Sequence, residues 1–195
     1  MSRLAVFGYG SLVDAVSAGT TLGRPVAETI PARLEGWRRE WTLRREQARS
    51  EKAFARPDGT VPRFCVGLNL ERGAADGSEP PNGALIELTE AELDRLDLRE
   101  IRYHRTEVTD LVRTSDPHGF DRIVTYEARP ENHLTAPHPD TILVASYVAA
   151  VEAAFDALGP GELEAFRATT PPPAVEITEA TLVRDEIPPG NPRAW

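Results

Sequence analysis

Apolar residues in this chain fall mostly into short runs and alternations, with one substantial helical pattern late in the sequence. Residues 4–8 are an apolar run that breaks at Gly8 and Gly10, the signature of a buried strand feeding a sharp turn. After a segment without clear periodicity to about Pro31, residues 32–46 and 63–71 alternate apolar and polar side chains and predict strands, with 47–60 as the loop between them. Residues 72–83 are turn formers and predict a surface loop. A strand resumes over 84–88. Thr89 with Glu92 three residues on is a capping box, in which hydroxyl and carboxylate satisfy each other's backbone amides, so a short helix is predicted to end near Leu98. Period-two patterns return over 102–113 and 121–129, with Val108, Val124, Tyr126 and Ala128 inward, as a hairpin across 115–119. Asp140 is the predicted cap of a long helix carrying Val144, Tyr147, Val148, Val151, Phe155 and Leu158 at helical spacing until Gly159 and Pro160. A second helix starts at Pro160 and stops before 169–173, and residues 175–187 read as a last strand. Strands that mostly follow one another by hairpins argue for an α+β fold with a mixed, largely antiparallel sheet. The prediction is one domain over 1–187 and an irregular tail over 188–195.

Composition narrows the function classes. The chain has 195 residues, 41% hydrophobic and 27% charged, without an apolar run of membrane length, which predicts a soluble globular protein. No charged-then-apolar leader precedes Val6, so the cytoplasm is the expected compartment. The single cysteine, Cys65, excludes an intramolecular disulfide and a thiolate cage for zinc. A formal net charge of −9 opposes a nucleic-acid partner, since phosphate recognition needs clustered cations. The local exception is Arg38, Arg39, Arg44, Arg45 and Arg49 around Trp37, Trp41 and Leu43; anion contact is one reading, and a solvated sheet face is the preferred one.

The chemistry-bearing motifs are few. Gly8-x-Gly10 lacks the third glycine of a dinucleotide fingerprint, and no Gly-Lys-Ser/Thr follows. Ser11 is outside a nucleophile elbow and has no evident base. His104, His118, His133 and His138 lack paired metal-ligand spacing, so no metal is expected. Asp94, Asp97 and Glu100 stand three residues apart at a helix end, where a solvated face is the ordinary explanation and is accepted for the two aspartates. Glu100 has two readings. Leu96, Leu98 and Ile101 flank it, and burial beside them would raise its proton affinity and suit it to act as a base.

Phe7-Gly8-Tyr9-Gly10-Ser11-Leu12 closely resembles the N-terminal signature of the γ-glutamylcyclotransferase superfamily, especially its glutathione-degrading branch. Leu96-Asp97-x-x-Glu100, followed by Tyr103 and Val108, resembles the second signature, whose glutamate is the catalytic base. Val124-Thr125-Tyr126 and Ser146-Tyr147 are similar to two later tyrosine positions, so the resemblance spans residues 4–170. The spacer from Glu100 to Tyr103 and the Val13-Asp14 pair depart from the glutathione enzymes. The resemblance implies a barrel-like mixed sheet with flanking helices and cyclisation of a small γ-glutamyl substrate to 5-oxoproline with release of an amine, without a cofactor. It implies Glu100 as general acid and base. The amides around Gly8, Tyr9, Gly10, Ser11 and Leu12 would receive the substrate's α-carboxylate, with Tyr103, Tyr126 and Tyr147 as walls and hydrogen-bond donors. Each tyrosine also fits a core aromatic with a satisfied hydroxyl. The alternative function is a binding module of the same fold for an anionic or amino-acid-like ligand.

Overall fold

Strand β1 (Leu4–Gly8) is buried along its whole length, as a continuous apolar run requires when both faces of a sheet are covered. It lies between β6 (Asn82–Leu88), antiparallel, and β9 (Arg122–Ala128), parallel. The computed structural model describes residues 3–73, 75, 77–115, 119–187 and 191–192. With β7 (Tyr103–Glu107), β2 (Ile30–Leu34) and β8 (Val112–Arg113), these strands form a six-stranded sheet in the order β7-β9-β1-β6-β2-β8. A second sheet has the order β11-β10-β5-β3, from Glu176–Thr178, Thr141–Val144, Phe64–Arg72 and Trp37–Glu46. A two-stranded ribbon pairs β4 (Lys52–Ala55) with β12 (Thr181–Asp185). Asn69 on β5 joins the two larger sheets, its Oδ1 accepting from the Ala128 amide on β9 at 2.7 Å. The result is the mixed, largely antiparallel α+β architecture expected from the sequence.

Alternation along β1 feeds two cores. Ala5 and Phe7 pack between the sheets with Trp37, Trp41, Leu68 and Phe155. Leu4 and Val6 pack on the other face against Ala18 and Leu22 of α1 (Ala15–Leu22) and Leu93 and Leu96 of α2 (Glu90–Arg99). Helices α3 (Ala145–Leu158) and α4 (Glu162–Ala168) close the first core, where Phe155 stacks on Phe166 with centroids 4.5 Å apart. The capping box on α2 forms as expected, Thr89 and Glu92 exchanging side-chain to backbone bonds.

Several local expectations are corrected. The alternation over 32–46 is two strands, β2 and β3, separated at Gly36, whose φ of +75° is the left-handed turn conformation that glycine adopts without steric cost. The aperiodic stretch before Pro31 contains α1, capped by the Asp14 carboxylate accepting from the Ser17 amide at 2.7 Å. The 47–60 loop contains β4. Asp140 does not cap the long helix, because β10 intervenes; its carboxylate accepts instead from the Arg63 amide at 2.8 Å and from Arg56 at 3.1 Å. Strand β7 does pair antiparallel with β9, but β8 between them leaves to pair with β2. Within the hairpin connection, residues 116–118, including His118, lie outside the described residues, as do 188–190 and 193–195 of the tail. The last strand is two, β11 running parallel to β10 and β12 crossing to β4. Among the described residues, no helix is long and apolar enough to cross a membrane.

Candidate active site

At the end of β1 the chain turns through Gly8, Tyr9 and Gly10 into one 3₁₀ turn over Ser11–Val13, closed by the Val13 amide donating to the Gly10 carbonyl at 3.0 Å. Neither Gly8 nor Gly10 has a positive φ among the described glycines, so the need for glycine here is steric. A Cβ on Gly10 would lie 3.3 Å from Leu68 Cδ1 and 3.6 Å from the Tyr147 hydroxyl. The turn is fixed from behind. The Tyr9 hydroxyl donates to the Tyr126 carbonyl at 2.8 Å, and the Tyr9 carbonyl faces Arg39 Nη1 at 3.4 Å.

Glu100 is placed by the end of α2. Its amide completes the helix by donating to the Leu96 carbonyl at 2.9 Å, and its own carbonyl accepts from the Tyr103 amide at 2.9 Å as the chain turns into β7. The nine residues singled out from sequence, Gly8, Tyr9, Gly10, Ser11, Leu12, Glu100, Tyr103, Tyr126 and Tyr147, all line one small pocket of about 50 Å³. A larger chamber of about 760 Å³ adjoins it and shares Ser11, Glu100, Tyr103 and Tyr147, so the Glu100 carboxylate stands at the boundary of the two.

Burial raises the Glu100 pKa above its ordinary value, and Arg99, Arg102 and Arg45 oppose that rise without cancelling it. Arg99 is itself buried. Its Nε lies 3.2 Å from Glu100 Oε1, its Nη2 donates to Ser11 Oγ at 2.9 Å, and its Nη1 donates to Thr21 Oγ1 of α1. One guanidinium therefore ties the base position to the glycine turn and to α1. Arg102 is held in a bidentate pair with Glu51 at 2.5 and 3.0 Å.

The tyrosines are walls whose hydroxyls are engaged with the protein. Tyr103 donates to the Leu68 carbonyl at 3.0 Å, and Tyr126 donates to Asp97 Oδ1 at 2.6 Å. Burial pushes the Tyr147 pKa up to about 12 against the opposing effect of a hydrogen bond with the Leu68 backbone, so its hydroxyl stays protonated at neutral pH. Asp97 is thus more than a solvated carboxylate. It orients Tyr126 and also accepts from Arg105 at 2.8 Å. Sequence reasoning passed over Arg99 because it is the unremarked neighbour of Glu100. It also put Arg39 and Arg45 on a solvated face, whereas burial lowers the pKa of both. For Arg39 the sequence held the signal, since period two places it on the face of Trp37 and Trp41.

Among the described residues no cluster of three or more His, Cys, Asp or Glu side chains is placed to hold a metal. The arrangement supplies a carboxylate of raised proton affinity beside a turn with bare backbone, which suits proton transfer to and from a small anionic ligand.

No protein-family model and no curated protein sequence matches the chain. Solved structures do. A γ-glutamyl cyclotransferase superposes with a TM-score of 0.57 at 18% identity, over 87% of this chain and 89% of that one. An uncharacterized protein from Homo sapiens superposes with a TM-score of 0.56 at 18% identity, over 88% and 90%. A protein from Arabidopsis thaliana aligns with a TM-score of 0.41 at 24% identity, over 66% of this chain, and the match spans 63% of that protein's length. The first two likenesses extend over nearly the whole of both chains, and on them this protein has the γ-glutamylcyclotransferase-like fold.

Proposed function

We propose that the protein is a γ-glutamylcyclotransferase-type enzyme that converts a γ-glutamyl compound to 5-oxoproline and a free amine. The observation that carries this reading is the position of Glu100, a carboxylate of raised proton affinity lining the same small pocket as the Gly8–Gly10 turn. The substrate's α-carboxylate sits against the backbone of the turn, where the missing side chains of Gly8 and Gly10 let it approach. Its α-amine then faces Glu100, which takes the ammonium proton. The freed amine attacks the γ-carbonyl to close the five-membered lactam, the bond from the γ-carbon to the departing nitrogen breaks, Glu100 returns its proton to that nitrogen, and the second proton that the attacking nitrogen sheds on becoming an amide passes to solvent. Such proton transfer contributes about 10²–10⁴-fold, and holding the glutamyl chain folded adds an orientation term. Asp97 and Arg99 act as positioning residues, the first on Tyr126 and the second on Glu100 and Ser11.

A binding module of the same fold is the second reading, favoured by the Arg99 pairing that keeps the Glu100 carboxylate engaged. Mass spectrometry after incubation with a panel of γ-glutamyl compounds separates the two. Release of 5-oxoproline is the expected result; release of glutamate identifies a hydrolase, and an unchanged panel supports the binder.

A further inference from the structure

The chamber on the far side of Glu100 is far larger than the pocket for the glutamyl group. Its volume of about 760 Å³ falls in the range that holds drug-sized ligands. Its walls are mainly apolar, from Val16, Leu43, Phe54, Val66, Val144 and Leu182, and at its lips Val16 is 76% and Leu182 41% exposed. A departing amine of a few atoms would leave those walls wet.

Six charged residues line the chamber: Asp14, Arg45, Lys52, Arg99, Glu100 and Arg102. Arg99 is engaged with Glu100 and Arg102 with Glu51. Arg45, on β3 opposite Cys65 of β5, and Lys52, on β4 opposite Asp185 of β12, bring two further cations to the chamber. Burial lowers the proton affinity of each; Asp185 supports the charge on Lys52, while Arg45 opposes it and Arg102 opposes the charge on Arg45. An anion placed among them relieves that mutual repulsion, and in apolar surroundings the attraction is strong.

We infer that this chamber is the leaving-group subsite and that it selects γ-glutamyl compounds whose amine portion combines a large apolar body with an anionic group received by Arg45 and Lys52. This inference rests on the cyclotransferase reading for the orientation of the substrate, with its glutamyl part in the small pocket. It names Arg45 and Lys52 as specificity-determining residues.

The test uses three compounds: γ-glutamylphenylalanine, γ-glutamylphenethylamine, which keeps the body and lacks the carboxylate, and γ-glutamylglycine, which keeps the carboxylate and lacks the body. Initial rates of 5-oxoproline release are measured on the wild type, and affinities by calorimetry on Glu100→Gln. γ-Glutamylphenylalanine should exceed each of the others at least tenfold in both kcat/KM and affinity. Lys52→Gln should narrow its advantage over γ-glutamylphenethylamine at least threefold, and Arg45→Lys, which keeps the charge, should preserve that advantage. Equal values for the three compounds, or a preference for either partial one, overturn the assignment. Should the affinity order hold while no compound releases 5-oxoproline, the chamber assignment stands and the cyclotransferase reading falls. If none of the three binds or turns over, both fall.

Discussion

Replacing Arg39 should unfold this protein more readily than replacing almost any other charged residue, although the formal cost of its buried charge argues the other way. The side chain is fully buried, and burial lowers its pKa from 12.5 to about 9, a penalty on the charged form of roughly 5 kcal/mol. Against it stand bonds to Asn82 O at 2.6 Å, Asn82 Oδ1 at 2.8 Å, Thr170 Oγ1 at 2.7 Å and Thr169 Oγ1 at 3.0 Å. Hydrogen bonds from a charged donor contribute roughly 1.5–3 kcal/mol each, so four together are worth roughly 6–12 kcal/mol and exceed the penalty. The guanidinium also lies 4.3 Å from the Phe166 ring centre and 4.9 Å from that of Phe155. Arg39→Met removes all of this and leaves buried oxygens without donors, a loss of about 3–5 kcal/mol. For a chain of this length that corresponds to a fall in Tm of roughly 6–20 °C. Thermal melting followed by circular dichroism reads it directly. Arg39→Lys, which keeps the charge without the planar fork, should fall between the wild type and Arg39→Met. A melting temperature for Arg39→Met within about 2 °C of wild type, or above it, would refute the reasoning, because desolvation would then outweigh the bonds.

Gly10→Val should weaken binding of a γ-glutamyl compound at least tenfold by calorimetry, since its side chain enters beside Leu68 and the Tyr147 hydroxyl; an unchanged affinity would move the carboxylate anchor away from the turn. The acid limb of kcat/KM should lie above the ordinary glutamate range, because burial holds the proton on Glu100 to higher pH and the reaction needs the carboxylate free; rates across pH 4–9 check this, and a limb at or below 4.5 contradicts the raised value. Turnover should survive exhaustive chelation, given the absence of a metal-binding cluster among the described residues; a loss that zinc or manganese restores would point to a metal site.

What the sequence disclosed was what local chemistry enforces. The Thr89 and Glu92 box starts a helix because two backbone amides need those side chains, and the Gly8 and Gly10 turn stood out because an apolar run stopped there. Helix α1 escaped because its residues, Ala15 to Leu22, are small and weakly patterned, and its support comes from packing on α2. Strand β10 was absorbed into the long helix because Thr141–Val144 is a fully buried run, which periodicity cannot tell from helix. The candidate site divides in the same way. Glu100 and the glycines could be named from their neighbours, whereas Arg99, Asp97 and Arg45 gain their roles from partners distant in sequence or on other elements. Arg99 reaches Ser11 across 88 residues, and Asp97 reaches Tyr126 across 29.

The central claim is that Glu100 moves the proton in a cyclisation, and the most direct measurement is 5-oxoproline release by Glu100→Gln, using the γ-glutamyl compound that the wild type converts fastest. The amide preserves the side chain's size and cannot accept the proton, so the rate should fall by two decades or more. Between the ordinary carboxyl value and its raised folded one, the native state holds more protons than the unfolded state, so the carboxylate lowers stability as pH rises through that window. The melting temperature of Glu100→Gln at neutral pH should therefore be unchanged or higher, which separates lost catalysis from lost fold. Glu100→Asp, its carboxylate drawn back by one methylene, should keep a fraction of the rate. A Glu100→Gln protein that releases 5-oxoproline at near the wild-type rate would contradict the account.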